Sequence, residues 1–422
     1  MQLYCISGIV IFKAAATMTA KPPKLNLPLL VLARVCTTAV FMVFPACLSV
    51  LRSEWEMTAT QAGLIQGGFT VAMAVSLLAA SFLCDRCGAR RVFTLSAAAS
   101  ALAALAAAAF ARDFTSGLIT MSLIGLTQGG TYTPAIMLAS SNAPAARKNA
   151  AVGWVLAGMS AGYVVSIILS NLMLDLTDYR AAFLSAAVLT AAGGLFSYLS
   201  VRHAKDIEAA AKSAASALSP GQRRNSRLLI LGYIGHTWEL LGMWAWVPAF
   251  LVAALSGASG MSAVELGIWT ALALHLSGFF ASFLSGMAAD KLGTRRVLIG
   301  FALLGCVCSA SVGWAASMPP SLLILLIALY GFATIGDSAV LSSAMTDAVP
   351  PGYLGRALGV RSVLGIGAGA IAPVNFGMVL DAAPATAAWG LGFLTLAAGG
   401  LLAFCCACAL PSPSRVALKL HT

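Results

Sequence analysis

Charge is what this sequence has least of. Only 9% of its 422 residues are Asp, Glu, Lys or Arg, where a soluble domain carries about 25%. With 60% of the chain hydrophobic, there is too little polar surface to cover a water-soluble globule, and lipid must be much of its solvent. The sequence also lacks a glycine loop followed by Lys-Ser/Thr, which removes support for ATP-driven work. No nucleophile, metal or cofactor constellation stands out, so neither an enzyme nor a cofactor is expected. The basic excess, 25 Lys and Arg against 14 Asp and Glu for a formal charge of +11, is scattered over short loops. That scatter disfavours nucleic acid and suits contact with anionic lipid.

Long apolar runs are what the sequence has instead. A bilayer-spanning helix needs about 20 mostly apolar residues, and twelve segments qualify, near residues 27–50, 58–83, 91–110, 115–139, 149–172, 179–201, 228–255, 263–289, 295–316, 320–345, 355–380 and 386–410. A membrane barrel would show weak alternation over about ten residues per strand. One long hydrophilic segment separates six spans from six. The expected organisation is therefore a cytosolic lead at 1–26, a six-helix half at 27–201, a linker at 202–227, a second half at 228–410 and a cytosolic tail at 411–422. Within the linker, Lys205 to Ala217 has helical composition and Ser219-Pro220-Gly221 breaks it.

Orientation follows from the side that retains Lys and Arg. Arg34 lies inside a span and Arg52, Arg112 and Arg180 fall on one side, while the other 21 fall on the opposite side with both termini. That side is read as cytosolic, in a bacterial cytoplasmic membrane, for a chain expected to act as a monomer. The cysteines lie within spans (Cys36, Cys47, Cys306, Cys308) or near the cytosolic face (Cys84, Cys87, Cys405, Cys406, Cys408), where a reducing compartment disfavours disulfides. The first 17 residues lack the basic start of a signal peptide, and Met18 is an alternative start.

An internal repeat marks both halves. Asp85-Arg86-Cys87-Gly88-Ala89-Arg90-Arg91 returns 205 residues later as Asp290-Lys291-Leu292-Gly293-Thr294-Arg295-Arg296, each time between two apolar spans. Such repetition implies duplication of an ancestral membrane unit. Cys84-x-x-Cys87 falls on this turn, but its second copy has Ala289 and Leu292 there, so a metal or redox pair is not expected. The repeated turn resembles the signature loop of the major facilitator superfamily, Gly-x-x-x-Asp-Arg-x-Gly-Arg-Arg; Gly286 keeps the leading glycine and Ser81 replaces it in the first copy. Ala143-Pro144 with Arg147, and Tyr179-Arg180-Ala181-Ala182-Phe183, are similar to other loops of that family. Gln128-Gly129 resembles part of its Arg-x-x-Gln-Gly motif, with Gly125 in place of the arginine, and Tyr163 replaces the proline of its antiporter motif.

The resemblance implies an all-α membrane protein of twelve transmembrane helices in two pseudo-symmetric six-helix halves. It also implies that the first, fourth, seventh and tenth spans line a central cavity. Charge inside a bilayer usually faces a cavity or a partner. Arg34, Glu239 and Asp337 lie well inside spans of that set. On the seventh span His236, Glu239, Met243 and Trp246 recur every three or four residues and form one stripe, the leading substrate-site candidate. Glu239 has two readings, a carboxylate that takes and releases protons or a fixed structural partner. Arg34 likewise reads either as an anion anchor or as a counter-ion to Glu239 or Asp337. Gln128 and Tyr132, one turn apart, His275 and Asn375 complete the candidates. Small residues mark close helix packing: Gly158 and Gly162 on the fifth span, and Gly365, Gly369, Pro373 and Gly377 on the eleventh.

These observations point to a secondary transporter moving a small solute, with an organic anion in view, by proton-coupled alternating access. A non-transporting membrane sensor of the same fold and an efflux antiporter are the rivals. The family resemblance places Asp85 and Asp290 against basic residues or helix ends in one state of the cycle.

Overall fold

A computed structural model describes residues 25–144, 148–206, 218–255 and 260–411. The first half contains α1 (Leu27–Thr38), α2 (Val43–Glu54), α3 (Ala59–Cys87), α4 (Ala89–Phe110), α5 (Phe114–Asn142), α6 (Lys148–Leu176) and α7 (Tyr179–Val201). The second contains α8 (Pro220–Leu255), α9 (Ala263–Ala271), a π-helical turn (Leu272–Leu276), α10 (Ser277–Leu292), α11 (Thr294–Val312), α12 (Pro320–Ala348), α13 (Pro351–Ala382) and α14 (Ala388–Ala409). Eleven helical stretches, with α1 and α2 taken as one and α9 and α10 as another, are long and apolar enough to cross a membrane. The twelfth, α5, is 29 residues long, but Thr, Ser, Gln and Gly dilute its apolar content. The layout is two sets of six spans.

Three expectations need correction. The first span is two helices, because Pro45 has no N–H to give the Phe41 carbonyl and the ladder restarts with Ala46 N–H on the Met42 carbonyl, 2.9 Å. The eighth span carries the π turn, which contains His275. The seventh helix begins at Pro220, where proline suits the first turn, so the last third of the expected linker is helical. The lead 1–24, linker residues 207–217, Arg147 and the tail from 412 lie outside the described residues.

Duplication is visible in the backbone as well as the sequence. Gly88 joins α3 to α4 with φ 84° and ψ 144°, and Gly293 joins α10 to α11 with φ 87° and ψ 139°. Positive φ is strained for any residue with a Cβ, so glycine is required at both turns. Asp206, which follows α7, accepts from the Arg90 N–H at 3.1 Å, while Arg295 donates to the Cys408 carbonyl at 2.8 Å. Hydrogen bonds described at this loop end stay within one half. Asp290 is exposed, and the Asp85 side chain lies outside the described residues.

At the opposite end the halves are joined. A Cβ on Gly63 would meet the Pro373 carbonyl oxygen at 2.3 Å, one on Gly67 the Ala370 carbonyl oxygen at 2.7 Å, and one on Gly377 the Ala59 carbonyl oxygen at 2.2 Å. Backbones of α3 and α13 therefore touch across the halves, which is how helices gain dispersion contacts in lipid. Asp381, at the end of α13, accepts from the Ala59 N–H at 2.8 Å, the Thr60 N–H at 2.8 Å and the Thr60 hydroxyl at 2.6 Å. Those two N–H groups are unpaired donors of the first turn of α3, at the positive end of its dipole. Asn171 of α6 also packs on Gly267 of α9. Among the described residues, these contacts join the halves at the far end.

Asp381→Ala removes a charged cap that one half lends the other. We expect it to shift the protein toward far-end opening, read as longer distances between spin labels at the exposed positions Ser53 and Ala385; an unchanged distribution refutes the latch.

Candidate transport site

Arg34 is 1% exposed. Its Nη1 donates to the Thr131 carbonyl at 2.9 Å and to the Thr131 hydroxyl at 2.8 Å, and its Nε has no partner. Two features hold it there. Gly158 and Gly162 let α6 lie against α1, since their Cβ atoms would meet the Val31 carbonyl at 2.8 Å and the Thr38 hydroxyl at 2.0 Å. Gln128 ties α5 to its neighbours by donating to the Thr37 carbonyl at 2.9 Å and the Ser100 hydroxyl at 2.7 Å, while its Oε1 accepts from Thr131 at 3.1 Å. Gln128 is consequently spent on positioning. Tyr132, half-buried one turn on, lies within electrostatic reach of Arg34, Arg361 and Tyr233.

Arg361 is the residue that sequence reasoning missed. It stands six residues into the span placed at 355–380 and counts only as one of the 21 basic residues of the cytosolic side, yet it is only 7% exposed. Its guanidinium sits 4.2 Å from the centre of the Tyr233 ring and reaches the Ser342 hydroxyl at 3.3 Å, and its Nε has no partner. The Tyr233 ring is 5.6 Å from that of His236. His236 Nδ1 is 2.7 Å from Asp337 Oδ1, an ion-pair contact whose ring N–H is not aligned as a hydrogen bond. Arg34 therefore pairs with neither Glu239 nor Asp337, against the counter-ion reading.

The stripe on the seventh span faces the core of its own half. Glu239 is buried, accepts from the Ser309 hydroxyl at 2.6 Å, and Ser309 also bonds the Tyr330 hydroxyl. Gly305 and Gly400 make room for its carboxylate. Met243 is buried, and Trp246 donates to the Pro373 carbonyl at 3.0 Å and stacks on Phe376 at 5.0 Å. The half-buried face of α8 is instead Tyr233, Leu240 and Trp244, spaced seven and four apart and so on one side of a helix. The structure brings together Arg34 and Tyr132, and separately His236 and Asp337 beside Arg361. It leaves Met243 and Trp246 apart from both groups, keeps Glu239 within electrostatic reach of Asp337 but bonded to Ser309, and has Asn375 half-buried on α13.

A ring cluster closes the site on its far side. Tyr163 of α6 lies 5.3 Å from Phe41, 5.5 Å from Trp244 and 5.2 Å from His275, and Trp244 lies 5.7 Å from His275. Phe41 sits in the break of the first span and His275 in the π turn. The buried Trp244 Nε1 and His275 Nε2 have no partner in the protein, at a cost of about 1–3 kcal/mol for each such group. The described cysteines are all free, and among the described residues no three His, Cys, Asp or Glu side chains gather as metal ligands do.

Two six-span helical halves around buried charge, joined at one end, have the architecture of a membrane transporter of small solutes. The chain belongs to the Major Facilitator Superfamily, whose sequence model matches residues 29–264. Among similar proteins, the cis,cis-muconate transport protein of Acinetobacter baylyi is 24% identical over 375 residues, covering 85% of this chain and 87% of that one. The probable 4-methylmuconolactone transporter of Cupriavidus pinatubonensis is also 24% identical, covering 77% and 78%. A bacterial homologue of the human lysosomal transporter Spinster, solved in an inward-facing and unoccupied conformation, superposes with a TM-score of 0.72 at 15% identity, over 92% of this chain and 98% of that one.

The packing predicts that Gly162→Val displaces Arg34 and lowers stability by about 1–3 kcal/mol, the usual penalty of overpacking. Gly153→Ala, with nothing within 4 Å of the new Cβ, should leave the melting temperature unchanged; equal effects from the two would refute the packing argument.

Proposed function

We propose that this protein moves a small organic anion by alternating access, coupled to protons, with Arg34 and Arg361 as its anion anchors. One observation carries the reading: each half contributes a nearly buried guanidinium that has no carboxylate partner among the described residues and an Nε with no acceptor. A buried charge without a counter-ion is costly, and a visiting anion offsets that cost by bonding the forked donors. Tyr132, within electrostatic reach of both arginines, and Tyr233, whose ring lies under Arg361, supply hydroxyls beside the anchor points. The relatives named for muconate and methylmuconolactone support an organic acid as cargo.

Proton coupling is assigned to His236 and Asp337. The pair stands next to the Tyr233–Arg361 contact, so its protonation state and the occupancy of Arg361 act on each other. A small, mostly apolar cavity lined by Leu410, Ala407, Leu341 and Gly232 borders Asp337. Glu239, satisfied by Ser309 and set in the core of its half, is assigned the structural role. Cytosolic loop ends and termini in a bacterial cytoplasmic membrane are supported by the Lys and Arg bias, and rocking of one half on the other supplies alternating access.

In proteoliposomes we expect Arg34→Gln and Arg361→Gln each to weaken organic-anion uptake more than tenfold, since removing one side of a buried charged contact costs roughly 2–5 kcal/mol. Wild-type binding with no flux would instead indicate a sensor. Asp337→Asn and His236→Gln should abolish pH-driven accumulation while sparing anion counterflow, which needs no net proton movement. Glu239→Gln should keep both; loss of accumulation alone in that variant would transfer the coupling role to Glu239.

A further inference from the structure

We propose that Tyr163, Trp244 and His275 form a recognition wall for a flat, conjugated group bearing a hydrogen-bond acceptor, so that the preferred cargo is an unsaturated rather than a saturated carboxylate. This rests on the anion reading above and extends it from charge to shape.

Position is the first ground. Gly158 and Gly162 pack α6 against α1 at Arg34 and Thr38, and Tyr163 of that helix meets Phe41, so the rings neighbour a carboxylate held by Arg34. Phe41 and Trp244 are only half-buried although both sit inside the bundle, which leaves the cluster one open side. Its members come from both halves, Phe41 and Tyr163 from the first and Trp244 and His275 from the second, so a ligand seated there touches both.

Unmet hydrogen bonding is the second ground. The protein satisfies its other indoles on this helix: Trp238 donates to the Thr395 carbonyl and Trp246 to the Pro373 carbonyl, both at 3.0 Å. Trp244 Nε1 has no such partner, nor has Nε2 of the 4%-exposed His275. A buried indole N–H and an imidazole nitrogen without partners beside ring faces suit a planar ligand that gives the indole an acceptor and packs its π surface edge to face or offset.

Third, both departures from regular helix in the spans converge here. The break at Ala39–Met42 presents Phe41, and the π turn presents His275; π turns inside helices recur at functional sites.

The test uses full-length protein in nanodiscs and two matched pairs of acids: benzoate with cyclohexanecarboxylate, and cis,cis-muconate with adipate. Within each pair carbon number and charge are equal and only unsaturation differs. Calorimetric titration should show the unsaturated member binding roughly fivefold tighter or better, in line with aromatic contacts. Trp244→Leu and His275→Leu should bring the ratio near one, and Trp244→Phe, which keeps a ring and loses the N–H, should lie between. Equal affinities within both wild-type pairs, a measurement independent of any variant's folding, overturn this proposal and leave the anion reading standing. A wild-type preference untouched by all three substitutions also overturns it. Failure of all four acids to bind overturns the anion reading and this proposal together.

Discussion

Close backbone contact between α3 and α13 is the constraint on which the rest depends. In lipid there is little hydrophobic force between helices, so two halves adhere only where their backbones approach. Gly63, Gly67 and Gly377 provide that approach, and Asp381 adds a charge seated on the first turn of α3. Together they join the halves at the far end of the bundle, and the rocking proposed above would turn on that seam.

Inside the bundle, buried polar residues differ in how fully the protein meets their hydrogen bonds. Gln128 uses its donors and acceptor on three helices, and Glu239 is met by Ser309. Arg34, Arg361, Trp244 and His275 each keep an unmet polar atom. Low dielectric makes both conditions consequential: a satisfied network rigidifies its surroundings, and an unsatisfied one favours whatever completes it. Unmet atoms also occur on Trp55, Ser166 and Ser197 within the first half, so what sets Arg34, Arg361, Trp244 and His275 apart is their charge or their place in the Tyr163 ring cluster.

Departures from regular helix have a common logic. Proline at 45 deprives one carbonyl of its donor and splits the first span, and five residues of the eighth span adopt the wider π turn. Both irregularities turn a side chain toward the junction that a regular helix would point elsewhere. Irregular backbone at membrane depth is tolerated where it borders a cavity or buried protein, which matches its place here.

The twelve spans, the division into halves and the repeated Asp-x-x-Gly-x-Arg-Arg turn were legible in the sequence, because hydropathy and a glycine held at positive φ are local properties. Arg34, Glu239 and Asp337 were legible as charge inside spans for the same reason, and His236 as a titratable ring one turn from Glu239. Which side of α8 faces the cavity was not: spacing put His236, Glu239, Met243 and Trp246 on one stripe, but rotation of a helix about its axis is fixed by its neighbours. Packing against α11, α12, α13 and α14 turned that stripe into the core of its half and left Tyr233, Leu240 and Trp244 on the inner face. Arg361 escaped notice because depth near a span end depends on where adjoining helices stop. Sequence alone determined that this chain is a two-half membrane transporter of the major facilitator type; tertiary structure decided which charges are spent and which remain free, since only packing fixes the partners a buried polar group meets.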